Sequence, residues 1–255
     1  MRLTFTGTAT SQGIPVIGCD CEVCTSTDPR DRRLRTSALL EWGEHTFCFD
    51  VGPDFRQQML AAGVSDLTAV LITHEHNDHV AGADDVRPLN FRHRKHIPFY
   101  ALPRVNKALR ERFPYVFETN PYPGAPRIDL HPLTAGEPLT VAGKTFTPVP
   151  ILHGKLPIVG FKFGNSAYLT DVKYLPEAAE PLLLGLDVLV ISALHREDHW
   201  THLKLDEALE YIRRLAPRQA YLTHLSHRMG THAATTELLP DNVAIAYDGL
   251  VVECE

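Results

Sequence analysis

The chain has 255 residues, is 44% hydrophobic and carries a formal charge of −6 at neutral pH, which is enough to bury a full core as one α/β domain. The negative balance argues against a surface that binds nucleic acid by bulk electrostatics, and no stretch approaches the ~20 apolar residues that span a bilayer. The first residues, MRLTFTGTATSQG, lack an apolar run of signal-peptide length, so a soluble, cytoplasmic protein with no membrane partner is expected.

In chain order, RLTFTG reads as the first strand, and the following GCDCEVC puts Cys19, Cys21 and Cys24 in one short loop. Three thiols leave one over from any disulfide, and Cys48 and Cys254 stand alone in apolar runs. Thiols at this spacing can face one point, and Zn²⁺ takes four N or S ligands in a tetrahedron. A zinc site is therefore expected, with a fourth ligand from elsewhere in the chain. TSALLEW and HTFCFDVG follow as an antiparallel hairpin about Gly43 and Glu44. GPDFRQQMLAAG is expected to be a helix with Pro53 near its start and Gly63 as its C-cap. LTAVLITH then reads as a buried strand delivering His74 to its exposed end.

THEHNDH is the densest chemistry in the sequence, with His74, His76, Asp78 and His79 on one loop. Imidazole and carboxylate together suit Zn, Mn or Fe. Two ions about 3.5–4 Å apart could share such a loop and clamp both oxygens of a displacement. The next segment, 84–127, is rich in Arg and Lys and is expected to be lid-like. Within it, Arg87 is a candidate for binding a substrate phosphate, or for a salt bridge with Asp84 or Asp85. The remaining strands are IPFYA, PLTVAGKTFTPVPI, IVGFKFGNSAYLTD, DVLVIS, QAYLTH and VAIAYDGLVVE, with helices at LPEAAEPLLLG and LDEALEYIRRLAP. ALHREDHWTHL offers His195, His199 and His202 ahead of the second helix. Hairpins followed by alternating strands and helices, twice over, would be buried as two packed sheets with helices outside.

The His-x-His-x-Asp-His loop after an apolar strand resembles the signature of the metallo-β-lactamase superfamily, over the whole chain (1–255). That resemblance implies an α/β fold, an αββα sandwich, with a dinuclear site between the sheets. Matched residue by residue, it implies His74, His76 and His153 around one metal, Asp78, His79 and His224 around the other, and Asp171 bridging them. Asp50 matches an aspartate that orients ligands from behind. The cysteine loop resembles that of the PhnP-type phosphodiesterases, which implies that Cys19, Cys21, Cys24 and His227 close a structural zinc site. A Thr-His ahead of LDEAL implies His202 as general acid, with His199 as runner-up.

The function implied is a metal-dependent hydrolase acting on a small cyclic phosphodiester of the phosphoribosyl cyclic phosphate class, with hydroxide held between two Mn, Zn or Fe ions attacking phosphorus. Two alternatives come from the same superfamily. A tRNA 3′-processing, RNase Z-like enzyme should carry a basic arm between His153 and Asp171, where only GKLPIVGFKFGNSAYLT intervenes. A pyrroloquinoline-quinone biosynthesis protein B-like role departs from the full ligand set that is intact here. Nucleic acid is thus disfavoured as a partner, and a homodimer is left open.

Overall fold

The computed structural model describes residues 1–254. Two seven-stranded sheets face each other. In the first, β1 (Arg2–Gly7), β2 (Ser37–Trp42), β3 (His45–Phe49), β4 (Ala69–Leu71), β5 (Ile97–Ala101) and β6 (Ile128–Pro132) follow one another across the sheet. The second begins at β7 (Leu139–Val141), runs through β8 (Lys144–His153), β9 (Leu156–Phe163), β10 (Ser166–Leu169), β11 (Val188–Ser192) and β12 (Gln219–Thr223), and ends at β13 (Val243–Ile245). The last strand, β14 (Val251–Glu253), crosses back to pair antiparallel with β1.

The sequence explains the layering. Apolar side chains alternate along β1, β3, β8 and β9, and their inward set, with Phe5, Phe47, Phe49, Phe146, Phe161, Phe163 and Tyr168 all buried, fills the space between the sheets. Phe49 stacks on Tyr168 at 5.0 Å. Outside the first sheet lie α1 (Phe55–Ala61), α2 (Asn77–Val80), α3 (Arg87–His93) and α4 (Pro103–Arg112), over a second core. Outside the other sheet, α5 (Glu180–Leu183) and α6 (Leu205–Leu215) cover a third, and α7 (His232–Thr236) packs near β13. In α6, Leu205, Ala208, Ile212 and Leu215 form the buried stripe. The result is the αββα sandwich of the metallo-β-lactamase fold.

Two sequence expectations need correction. LPEAAEPLLLG is helical only over Glu180–Leu183, because Pro181 lacks the N–H that a longer helix needs in its interior and so sits in the first turn. VAIAYDGLVVE is two strands in different sheets, broken by a turn in which Leu250 N–H reaches Tyr247 O at 3.0 Å and Gly249 takes φ 91. Within segment 84–127, β5 lies between β4 and β6, and Leu89, Val105 and Leu109 of the flanking helices are buried in the core beneath them. Among the described residues, no helix is long and apolar enough to cross a membrane.

Candidate metal centres

The chemistry-bearing residues leave their strands on one side of the sandwich. His74 follows β4, His153 ends β8, Asp171 follows β10 and His224 follows β12. Strands β10, β11 and β12 are mutually parallel, so their carboxyl ends open on the same edge. Asp50, Asp171 and His224 all take positive φ (63, 56 and 57). For residues with a Cβ this costs of order ~1–3 kcal/mol each, and three of the six non-glycine residues with positive φ among those described lie at these turns.

Two groups of donor atoms result, each with its atoms within 4.8 Å of one another: His74, His76 and His153 in one, and Asp78, His79, Asp171 and His224 in the other. His79 Nε2 lies 3.2 Å from Asp171 and 3.3 Å from Asp78, and His224 Nε2 lies 3.2 Å from Asp171. His202 joins His153 and Asp171 in a further grouping, with its Nδ1 3.8 Å from Asp171 Oδ1.

The hydrogen bonds behind the cluster fix which nitrogens face inward. His79 Nδ1 donates to Asp50 Oδ2 at 2.7 Å. Thr73 donates to Asp50 through both its N–H and its hydroxyl, so its Oγ1 is left to accept from His74 Nδ1 at 3.0 Å. His153 Nδ1 donates to Thr201 O at 2.9 Å. The outer nitrogens of His79, His74 and His153 are thus occupied, which turns their other ring nitrogen toward the cluster. Both His79 Nε2 and His224 Nε2 are buried with no hydrogen-bond partner. Orphaned inner nitrogens beside carboxylates are what a pair of divalent cations would satisfy, so the residues fit the metals that the donor set implies.

Electrostatics agree. Burial raises the Asp171 carboxyl, yet the surrounding His224, His79 and His74 hold it well below the usual carboxylate range. Burial likewise raises the Asp78 carboxyl, but His79 and His224 outweigh it and hold the group well below the usual carboxylate range. His79 is raised well above the usual imidazole range, against burial, by Asp171, Asp78 and Asp50. His74 and His153 are lowered, chiefly by burial, and stay neutral. Burial, then the charge on His224, pushes His202 down to about 2.

The cysteine loop meets the far side of the same region. His227 Nδ1 lies 3.3, 3.4 and 3.5 Å from the Sγ atoms of Cys19, Cys21 and Cys24. A hydrogen bond from the Cys24 backbone brings the Cys21 thiol down to about 6, whereas burial pushes Cys24 up to about 11. Four N or S donors around one point, all from protein, are the donor set of a closed structural zinc site. The fourth partner is held in place because Leu225 N–H bonds Thr8 O and Thr10 N–H bonds Leu225 O, joining the chain after His224 to the strand that leads into the cysteine loop.

Arg87 is not brought to the cluster by any hydrogen bond. It pairs with Asp84, not Asp85, at the surface, and Asp84 also accepts from Tyr115 OH at 2.5 Å. Two other residues of that basic segment do touch the metal loop: Arg104 reaches Glu75 and Pro157 O, and Arg112 reaches Asn77 at 2.8 Å. Sequence reasoning missed these, and it missed the threonines. The signal was present, since a threonine immediately precedes His74, Asp171, His202 and His224. Three of these serve the cluster directly: Thr73 and Thr201 as above, and Thr170, which donates to Asp171 at 2.6 Å.

Residues 45–225 match the Beta-lactamase superfamily domain. A crystal structure described as a new diphosphatase from the PhnP family is 39% identical, covers 99% of this chain and 97% of that one, and superposes with a TM-score of 0.92. A Porphyromonas gingivalis protein named octanoyltransferase is 41% identical over 98% of this chain but only 51% of its own length. Coenzyme PQQ synthesis protein B of Xanthomonas oryzae is 30% identical over 62% of this chain and 54% of that protein. The chain therefore spans about half the length of these two curated relatives.

Proposed function

The chain belongs to the metallo-β-lactamase superfamily, and within it to the PhnP family of metal-dependent hydrolases, and from that premise we propose that it is a phosphodiesterase acting on a small, cyclic phosphodiester of the phosphoribosyl type. The observation that carries this reading is the complete set of seven inward ligands, His74, His76, Asp78, His79, His153, Asp171 and His224, with the inner nitrogens of His79 and His224 left without a hydrogen-bond partner. In this reading Asp171 stands between the two groups, and Cys19, Cys21, Cys24 and His227 hold a structural zinc.

A pair of Mn, Zn or Fe ions, when bound, supplies Lewis acidity toward phosphoryl oxygens and lowers the pKa of water. The protein does the rest. Asp50 and Thr73 hold His79 and His74 in the tautomers that face the ligand. Thr201 does the same for His153. His202, neutral in the resting site, would gain basicity from the negative charge that a phosphate brings, take up a proton from solvent, and pass that proton to the leaving alkoxide. His199, with its ring 5.1 Å from His202, stands behind it.

Other readings have specific obstacles. The turn between β8 and β9 is Gly154–Lys155 and that between β9 and β10 is Gly164–Asn165, so the hairpins between His153 and Asp171 provide no arm for gripping tRNA. Acyl transfer through a thioester, which the name of the P. gingivalis relative brings to mind, would need a thiol at the cluster. Cys48 and Cys254 are buried elsewhere, and the other three thiols converge on His227. The test is a panel of cyclic and linear phosphodiesters, diphosphates and acyl thioesters offered to the metal-loaded protein. The reading expects turnover of phosphodiesters with cyclic ribose esters preferred, and it fails if thioesters alone are cleaved.

A further inference from the structure

His76 is held differently from its two partners. His74 Nδ1 bonds Thr73 Oγ1 and His153 Nδ1 bonds Thr201 O, so each of those rings is fixed from outside the group. Among the described residues, the His76 ring has one hydrogen bond, between its Nδ1 and His74 Nε2 at 3.0 Å, inside the group. It is also the exposed member of the seven ligands. A ligand ring with no partner behind it must be placed by the chain on either side of it.

Both chain neighbours of His76 are gripped by α4. Arg104 donates to Glu75 Oε1, and Arg112 donates to Asn77 Oδ1 at 2.8 Å. The helix is a firm support, because Val105 and Leu109 are buried beneath it and it follows directly on β5, whose Tyr100 O accepts from Ile72 N–H at 2.9 Å. Arg104 reaches further, donating through its other terminal nitrogen to Pro157 O in β9. Pro157 lies across the hairpin from Leu152, the residue before His153, and Val159 N–H bonds Thr73 O at 3.3 Å. One guanidinium thus joins the loop that carries His74 and His76, in the first sheet, to the hairpin that carries His153, in the second. A planar fork with donors in fixed directions suits two such acceptors, whereas an ammonium on a flexible stem does not fix both. The side chains of Arg104 and Glu75 are 32% and 24% exposed, so water screens the pair less than an open surface pair.

We propose that Arg104 is a positioning residue for the ion of the His74, His76 and His153 group, acting through Glu75 and Pro157 O to set His76 against the other two ligands, with Arg112 as a second clasp on Asn77. This rests on the two-metal reading above. The other group has its own support in the buried bond from His79 Nδ1 to Asp50, so the two ions depend unequally on α4. Partners of this kind behind metal ligands contribute about 10–100-fold in metal affinity.

Calorimetric titration with Mn²⁺ tests this, on protein whose His and Asp cluster has been emptied by mild chelation. His76→Ala identifies the binding event that belongs to the His74, His76 and His153 group. Arg104→Met should weaken that event about 10–100-fold and leave the other unchanged, and Arg104→Lys should recover part of the loss. Glu75→Ala should weaken the same event, and Arg104→Met added to it should cost less than the two single losses combined, because both act through one contact. Should Arg104→Met fail to fold, Glu75→Gln, which keeps the shape and loses the charge, carries the same test with a loss nearer tenfold, or about 1.4 kcal/mol. Unchanged Mn²⁺ affinity with a raised KM would make Arg104 a substrate contact, and equal weakening of both events would make it a general structural support; either overturns the proposal. Absence of Mn²⁺ uptake by the unaltered protein removes the two-metal reading itself, whereas uptake of two ions that is indifferent to Arg104 and Glu75 removes only this role.

Discussion

His224 and His227 lie three residues apart and serve different clusters: His224 Nε2 is 3.2 Å from Asp171 Oδ1, and His227 Nδ1 is 3.3 Å from Cys19 Sγ. One turn of chain therefore joins the two centres, and His224 holds φ 57 at the joint. In the proposed reading, a closed zinc site next to this strained ligand-bearing turn would fix the turn without touching substrate.

Cys21→Ser should accordingly lower the thermal midpoint and the zinc content, because removing one of four ligands weakens a site whose binding energy is folding energy. The fraction that remains folded should keep its His and Asp cluster and turn over substrate at a rate close to that of the parent. A variant with unchanged Tm and one fewer metal in the His and Asp cluster would reverse the assignment of the two centres.

Asp78 and His202 should separate by phenotype. Asp78→Ala should cut metal content and activity together, whereas His202→Ala should retain metal and lose about 10²–10⁴ in rate on an alkyl or cyclic ribose ester. With a p-nitrophenyl leaving group, which departs without a proton, the His202→Ala deficit should shrink. Equal losses on both substrates would assign His202 to charge stabilisation instead.

The raised pKa of His79 makes metal uptake pH-dependent. In the metal-free protein its contribution to stability is complete below the unfolded value of about 6.5 and is lost as pH rises through the higher folded value. A metal must displace that proton to reach Nε2, so affinity at the His and Asp cluster should increase with pH across this window. Calorimetry at pH 7 in two buffers of different ionisation enthalpy should show about one proton released on loading. Zero net release would mean that His79 is neutral before the metal arrives.

Gly52 should not tolerate a side chain. A Cβ there would sit 2.1 Å from Asp78 O, and Val51 N–H bonds His79 O at 2.8 Å, so backbone packs directly on the metal loop. Gly52→Ala is expected to cost about 1–3 kcal/mol of stability by overpacking and to lower occupancy of the His and Asp cluster by displacing Asp78. Unchanged melting and metal content would show that the loop can move aside freely.

Much of this was legible in the sequence because the ligands follow apolar strands: a buried strand of alternating or continuous hydrophobicity predicts its own end, and His74, His153, Asp171 and His224 are placed by those ends. His227 was within reach through its spacing from His224 and the unpaired third thiol. What one-dimensional reading lacked was contact between distant segments. Arg87 looked available for substrate because its partner Asp84 could not be told from Asp85, and Arg104 gave no hint that it reaches Glu75 and Pro157. In the basic run of 84–127 the charges stood out, while the alternating burial of Ile97, Phe99 and Ala101 that sets β5 within the sheet was the quieter signal.

The account depends on two kinds of metal centre, one structural and one that works, and metal analysis during graded chelation tests it most directly. Mild chelation should abolish phosphodiester turnover while about one zinc per chain stays bound and the circular dichroism is unchanged, since thiolates hold zinc more tightly than an exchangeable imidazole and carboxylate set. Adding back about two equivalents of Mn²⁺ or Zn²⁺ should restore activity. Activity that persists after the His and Asp cluster is emptied, or chelation that strips every zinc without unfolding the protein, would contradict it.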